Sequence, residues 1–218
     1  MRVLIFGMVL GVFVTGCTKS TPVTNKPADQ TAPAAATKAA KEKPAGEFAV
    51  GDPAPAFEGL VGIDDKAHSL NDYAAAKAVV VVFTCNHCPV AQAYEDRLVA
   101  LDKDYSGKGV QLVAVNVSNL EEDKLPAMKQ RAAAKGINFA YLYDPSQKVG
   151  RKYGAAVTPH VFLLDGKKQL AYVGPVDDSQ DQGKVSHQYL RDAIDAVLAG
   201  KAPATAEVKP FGCGIQYE

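Results

Sequence analysis

The residues best suited to chemistry are two cysteines separated by two positions, Cys85 and Cys88, in the run Cys85-Asn86-His87-Cys88-Pro89. A thiolate is a nucleophile, and a nearby second thiol can close a disulfide by displacing the partner from a mixed disulfide. We therefore expect Cys85 to attack and Cys88 to resolve. The alternatives are a structural disulfide, or half of a metal site whose other ligands lie elsewhere in the chain.

The pair follows a predicted strand and stands at the first turn of a predicted helix. Ala78 to Phe83 is a β-branched run typical of a strand covered on both faces. Beyond Pro89, apolar or aromatic residues share one helical face: Val90, Tyr94, Leu98, Leu101 and Tyr105. Because unpaired N–H groups at the start of a helix favour a thiolate, we expect a lowered pKa for Cys85. Protonated His87 would stabilise that thiolate further and make the disulfide form a stronger oxidant.

The rest of the folded part predicts alternating strands and helices. Strands are predicted at 110–117, 141–143, 161–164 and 169–173, and helices at 125–135, at 147–153 and after a cap at Ser186. The turn Asp165-Gly166-Lys167-Lys168 joins the last two strands as a hairpin. The order βαβ, then α, ββ and α, predicts an α/β fold of the thioredoxin-like kind, with a central mixed β-sheet flanked by helices.

The N-terminal 17 residues are predicted to be a lipoprotein signal peptide. Val3 to Val14 is apolar, too short to span a bilayer and of the length of a signal's apolar core. Val14-Thr15-Gly16-Cys17 resembles a bacterial lipobox, so Cys17 is expected to carry the lipid. An ordinary secretory signal with a stray cysteine is the alternative. The protein is accordingly expected to be exported and lipid-anchored to a bacterial membrane, on its extracytoplasmic face.

Residues 18–47 are rich in Ala, Pro, Thr and Lys and offer hardly an apolar side chain to bury. Such a segment cannot offset its own ordering entropy, so we expect a disordered tether. The predicted organisation is therefore a signal and lipobox at 1–17, a tether at 18–47 and one folded domain at 48–218.

The charge balance limits the partners. With 24 basic and 24 acidic residues and no block of like charges, the chain has no attraction for phosphate backbones, so nucleic-acid binding is not expected. The expected partners are protein thiols and disulfides, including an unidentified redox partner, with the membrane reached through the lipid anchor only. No cofactor and no metal are expected for this exchange.

From about Phe48 to the C-terminus the sequence resembles the redoxins of the alkyl hydroperoxide reductase and thiol-specific antioxidant group, within the thioredoxin-like superfamily. It is similar in particular to a peroxiredoxin-like bacterial subgroup with a Cys-Asn-His-Cys-Pro motif. The matching segments are Gly51-Asp52-Pro53-Ala54-Pro55, Cys85 to Pro89, Tyr141-Leu142-Tyr143-Asp144, Tyr153-Gly154-Ala155, Thr158-Pro159, Val176-Asp177-Asp178 and Gly212-Cys213.

This resemblance implies a substrate groove at Thr158-Pro159. In thioredoxin-like proteins the matching proline is cis and faces the cysteines. Exposed backbone beside Pro159 would then pair with an extended substrate segment and place its sulfur before Cys85. His160 would line that groove or be an ordinary strand residue, and Thr84 stands where the family usually has an aromatic residue.

Departures from the family's pattern count against peroxidase activity. A peroxidase of this group needs Thr or Ser three residues before its reactive cysteine, but Val82 precedes Cys85 by three residues and Cys85 precedes Cys88 by three. It also needs a proline seven residues before, where Val81 precedes Cys88. No acidic residue in the preceding strand is available as a base for Cys88.

The role of Cys213 is left open by its glycine neighbours, which allow a flexible tail. It could be a second resolving thiol, an intermolecular link or an idle cysteine. Three functions remain for the whole chain. Thiol–disulfide exchange is favoured over peroxide reduction and over a copper carrier that uses Cys85, Cys88 and either His87 or His160.

Overall fold

The computed structural model describes residues 48–218. The predicted signal peptide, the lipidation site Cys17 and the tether at 18–47 therefore lie outside the described residues. Among the residues that are described, no helix has the length and apolar character needed to cross a membrane.

Two β-sheets are formed by the described part of the chain. Its strands, in chain order, are β1 Leu60–Gly62, β2 Ala67–His68, β3 Ala78–Thr84, β4 Val110–Asn116, β5 Ala140–Tyr143, β6 Val157–Thr158, β7 His160–Leu164, β8 Leu170–Gly174 and β9 Cys213–Gly214. Seven of them form one sheet in the order β2-β1-β5-β4-β3-β7-β8, while β6 and β9 pair separately.

Strand β3 lies in the interior of the large sheet, between β4 and β7. It pairs in parallel with β4 and antiparallel with β7, so the sheet is mixed, as predicted. The four α-helices in this region are α1 Pro89–Tyr105, α2 Leu125–Lys135, α3 Lys148–Tyr153 and α4 Tyr189–Leu198. Because α1 connects the parallel strands β3 and β4, the predicted βαβ unit is present.

Helices cover both faces of β3, as its unbroken apolar run predicts. Val80 and Val82 face one core with side chains from α1, α2 and α4, whereas Val79 and Val81 face a second core with side chains from α3. All four valines are fully buried. The end of β3, from which the cysteine motif continues, is therefore held in a rigid framework.

Two features differ from the sequence predictions. Ser186 does not cap the last helix: α4 begins at Tyr189 with Gln188 at the N-cap, and the Ser186 N–H donates to Asp178 Oδ1 at 2.9 Å. The hairpin of β1 and β2 was not predicted, because these strands have only three and two residues and β1 is joined to the sheet by pairing with β5, which is distant in sequence.

Candidate active site

The cysteine motif forms a turn between β3, which ends at Thr84, and α1, which begins at Pro89. Cys88 is the N-cap of α1, and its Sγ accepts a hydrogen bond from the Ala91 N–H at 3.4 Å. The free N–H groups of the helix thus stabilise the sulfur of Cys88 rather than that of Cys85. The sequence predicts this stabilisation for Cys85, but the structure places it three residues later, at Cys88, because α1 begins after the second cysteine.

The disulfide in this structure joins Cys88 to Cys213, across 125 positions of sequence and with 6.1 Å between the Cα atoms. Cys85 is a free thiol and is buried. The bond therefore does not connect the predicted pair, Cys85 and Cys88. The sequence left three roles open for Cys213, and in this structure Cys213 is bonded to a cysteine of the same chain.

The thiol of Cys85 is 5 % exposed and lies 3.5 Å from Thr158 Oγ1. Burial is the main cause that raises its pKa above the ordinary value, and the charge of Asp123 adds to this. Hydrogen bonds from Thr158 and from the Cys88 and His87 N–H groups act in the opposite direction but are weaker together. The expectation of a lowered pKa for Cys85 is thus wrong for this disulfide state.

The raised pKa predicts a pH profile for alkylation of Cys85 in the oxidised protein. Only the thiolate reacts, so the rate with iodoacetamide should keep rising beyond pH 9.0, the ordinary value for the thiol. Mass spectrometry of the Cys85 peptide after timed quenching measures this rate. The shape of the profile is diagnostic even if access to the buried sulfur is slow, and a plateau below pH 8 would contradict the assignment.

The turn is held by Asp123, a fully buried carboxylate in the 3₁₀ turn Glu121–Asp123 between β4 and α2. Asp123 Oδ1 accepts the Asn86 N–H at 2.6 Å and the His87 N–H at 3.1 Å, and Oδ2 binds His87 Nδ1. The two middle residues of the motif are thereby fixed to the neighbouring loop.

The side chain of Asn86 reinforces the same junction. Its Nδ2 donates to the Glu122 carbonyl at 2.7 Å, and its Oδ1 accepts the hydroxyl of Tyr141 at 3.0 Å. Sequence reasoning missed Asp123. It could have been found because β3 and β4 are parallel, so residues that follow their carboxyl ends meet at one edge of the sheet.

Cys85, His87 and Asp123 are the residues here that could together hold a metal ion. One ligand atom from each lies within 4.8 Å of the others. Thiolate and imidazole suit a soft or borderline cation. However, both oxygens of Asp123 already accept hydrogen bonds from the turn, which favours a positioning role for this carboxylate over metal ligation.

The predicted substrate loop faces the cysteines, and the Thr158–Pro159 peptide bond is cis, as the resemblance implied. A pocket of about 120 Å³ lies beside it. Its lining includes Thr84, Cys85, His87 and Thr158, so Thr84 and His87, the two further residues singled out around the cysteines, both reach it.

His160 does not line this pocket. It is buried beside Phe162, with the ring centroids 4.5 Å apart, and its Nδ1 accepts the Ala156 N–H at 3.3 Å. Burial lowers the pKa of His160 to about 4, so the ring is neutral at pH 7. Of the two roles predicted for His160, the structure supports that of a buried strand residue.

The backbone beside Pro159 is not exposed, in contrast to the prediction. Thr158 in β6 pairs with Cys213 in β9, so a segment of the chain's own C-terminus occupies the edge expected to receive a substrate. Gly214, Ile215, Gln216 and Glu218 complete the lining of the pocket. Sequence reasoning could not place this tail because its pairing joins residues far apart in the chain.

A mixed sheet, a motif with two cysteines at the start of a helix and a cis proline opposite define a thioredoxin-like protein. The family model of Redoxin matches residues 49–190, and the chain belongs to this family. It is a redoxin of the thioredoxin-like superfamily, and therefore a redox enzyme in general class.

Solved structures agree with this assignment. A hypothetical protein from Sinorhizobium meliloti is 34% identical with a TM-score of 0.74, over 80% of this chain and 97% of that one. An uncharacterized conserved protein from Geobacillus kaustophilus is 35% identical with a TM-score of 0.74, over 80% and 95%. A candidate thiol:disulfide interchange protein DsbE from Chlorobium tepidum is 26% identical with a TM-score of 0.51, over 58% and 84%. No curated protein matches the chain.

Proposed function

We propose that the protein is an exported, membrane-tethered oxidoreductase that exchanges disulfides with protein partners through Cys85 and Cys88. The observation that carries this proposal is a free thiol packed in one small cluster with a disulfide. Cys85 and Cys88 are buried together, with Cys213 packed against them. Similarity to a candidate thiol:disulfide interchange protein supports the same chemistry.

In this exchange Cys85 attacks one sulfur of a partner disulfide and releases the other as a thiolate. Cys88 then attacks the Cys85 sulfur of the mixed disulfide, and the partner leaves reduced. The reverse sequence oxidises a partner dithiol. The Cys88 thiolate is stabilised at the N-cap of α1, where the Ala91 N–H already points at its sulfur.

Proton transfer is assigned to His87. Its Nδ1 is held by Asp123 Oδ2, so the ring has a fixed orientation beside Cys85. When the carboxylate accepts the Nδ1 proton, the other ring nitrogen is free to accept one. We infer that His87 takes the proton of Cys85 as the thiol is activated, with Asp123 as its positioning residue.

The proposed location rests on the sequence. A lipid on Cys17 would anchor the chain, and residues 18–47 would let the domain reach partners away from the membrane surface. An extracytoplasmic location would also suit the disulfide, since disulfides persist in oxidising compartments.

Covalent trapping tests the proposed exchange. Both Cys88 and Cys213 are replaced by Ser, because Cys213 lies close enough to resolve a mixed disulfide if Cys88 alone is removed. We expect the double variant to accumulate partners bound to Cys85, which are identified by non-reducing electrophoresis and mass spectrometry. The matched control, which also carries Cys85→Ser, should trap none.

The outcome also separates the other functions. If the double variant traps no partner and the wild-type protein binds one copper ion through Cys85 and His87, the cluster with Asp123 is a carrier site. If wild-type protein consumes hydrogen peroxide rapidly without trapping partners, peroxidase activity replaces the proposal.

A further inference from the structure

The C-terminal tail, residues 211–218, lies in the groove beside the cis proline. Val157 and Thr158 pair antiparallel with Gly214 and Cys213, and the Ile215 N–H donates to the Ala156 carbonyl at 2.9 Å. Backbone pairing of an extended segment with an exposed strand is a common way to bind a peptide. The tail pairs with β6 in the manner of a bound peptide.

The fit of the tail depends on Gly212. A Cβ atom at this position would lie 2.1 Å from the Thr158 carbonyl oxygen, a distance that no side chain can adopt. The backbone at Gly212 also has φ of +154°. By contrast, a Cβ at Gly214 would meet nothing within 4 Å. The close approach to Thr158 therefore requires a glycine at position 212 but not at position 214.

Side chains fasten the end of the tail. Gln147 Nε2 donates to the Gln216 carbonyl at 3.0 Å, and Gln147 Oε1 accepts the Glu218 N–H at 2.7 Å. The hydroxyl of Tyr217 donates to the Ala155 carbonyl at 2.7 Å, and the guanidinium of Arg151 lies 4.6 Å from the Tyr217 ring. These polar contacts are specific, and they hold the segment that carries Cys213.

The three cysteines differ in exposure. Cys88 is fully buried and Cys85 is 5 % exposed, whereas Cys213 is half-buried. Both buried cysteines also flank Thr158: Cys85 Sγ lies 3.5 Å from its Oγ1, and Cys88 Sγ lies 3.4 Å from its carbonyl oxygen. A free thiol and a disulfide are therefore placed on either side of one residue of the groove.

We propose that Cys213 is a third redox cysteine and that residues 211–218 are an internal substrate. In this exchange, Cys213 and Cys85 alternate as the disulfide partner of Cys88. This inference rests on the proposed function of the Cys85 and Cys88 pair. It names the ligand of the groove as an extended peptide whose cysteine follows a glycine.

The exchange balances within the chain. The Cys85 thiolate attacks Cys88 Sγ, the bond between Cys85 and Cys88 forms, and the bond between Cys88 and Cys213 breaks. The electron pair leaves on Cys213 Sγ, which takes up the proton that Cys85 lost. One thiol and one disulfide exist before and after, so no outside oxidant or reductant takes part.

Release of Cys213 has a consequence for access. Once its sulfur is free, the tail keeps only hydrogen bonds and ring contacts, and its departure exposes the edge of Thr158 to a client segment. In the bonded state, an outside thiol reaches the buried sulfurs through Cys213, the most exposed of the three. The tail thus covers the site in one disulfide isomer and opens it in the other.

Two matched glycine variants test this proposal without removing any thiol. Protein carrying a single disulfide is quenched in acid, its free thiols are alkylated, and the two isomers are quantified by mass spectrometry of the linked peptides. Gly212→Ala should shift the population from the Cys88–Cys213 bond toward the Cys85–Cys88 bond by about tenfold or more, because the added methyl cannot fit against Thr158. Gly214→Ala should match the wild type.

Hydrogen exchange of residues 211–218 gives a second readout. We expect protection in the wild-type Cys88–Cys213 isomer and its loss after reduction or in Gly212→Ala. The proposal is overturned if Cys88–Cys213 is the sole disulfide in the wild type and in both variants, which would make it a static cross-link. It is also overturned if Cys213 is the free thiol throughout the wild-type population.

These measurements use the isolated protein and need no client. Failure of the inference therefore leaves intact a result in which partners are trapped on Cys85. Conversely, absence of trapped partners with a normal isomer shift would reject the proposed function while the tail still exchanges.

Discussion

Replacement of Cys85 by Ser is expected to lower the rate of thiol–disulfide exchange by about 10³-fold or more, since removal of an attacking nucleophile leaves only residual catalysis. Cys85 is the free thiol at the pocket beside Thr158, whereas Cys88 is bonded and fully buried. A serine hydroxyl retains the size of the side chain but does not ionise near neutral pH. The loss is therefore chemical rather than structural.

The reduced protein can be mixed with a disulfide-linked fluorescent peptide and followed by stopped flow. Asp96→Ala is a suitable control because the Asp96 side chain is 79% exposed and lies on α1, the helix that Cys88 caps. This variant should react as the wild type does. Thermal unfolding of Cys85→Ser checks that the fold is retained. If this variant keeps more than about a tenth of the rate, the attacking sulfur belongs to another cysteine.

Replacement of Asp123 by Ala is expected to lower the free energy of unfolding by about 3 kcal/mol, because hydrogen bonds to a charged group contribute about 1.5–3 kcal/mol each and buried donors would be left without a partner. The carboxylate accepts the N–H groups of Asn86 and His87, and it also binds the His87 ring. Its loss should loosen the turn that carries both cysteines of the motif.

Urea unfolding with the Cys88–Cys213 disulfide intact measures this change. Glu121→Ala is the matched control on the same 3₁₀ turn, since its side chain is 85% exposed and pairs with Lys124 at the surface, so about 0.5 kcal/mol or less is expected. Asp123→Asn retains an oxygen for the two backbone N–H groups and should recover part of the loss. A change below about 1 kcal/mol in Asp123→Ala would show that the turn is held by other contacts.

The sequence alone determined the framework of the site. The β-branched run of β3 was readable because a strand covered on both faces leaves an unbroken apolar pattern, and Pro89 marked the start of α1. The order of the later elements from β4 to α4 was also predictable, but the short strands β6 and β9 were missed and the start of α4 at Tyr189 was misplaced. These features are local or periodic, so neighbouring residues carry the information.

Only the tertiary structure decided which sulfurs are joined and what charges surround them. The bond from Cys88 to Cys213 spans 125 positions, and the carboxylate of Asp123 reaches the motif from a different loop. Neither contact has a local pattern, because each depends on how the strands bring distant segments to one edge. The raised pKa of Cys85 has the same origin, since burial follows from the packed fold rather than from the residues beside it in sequence.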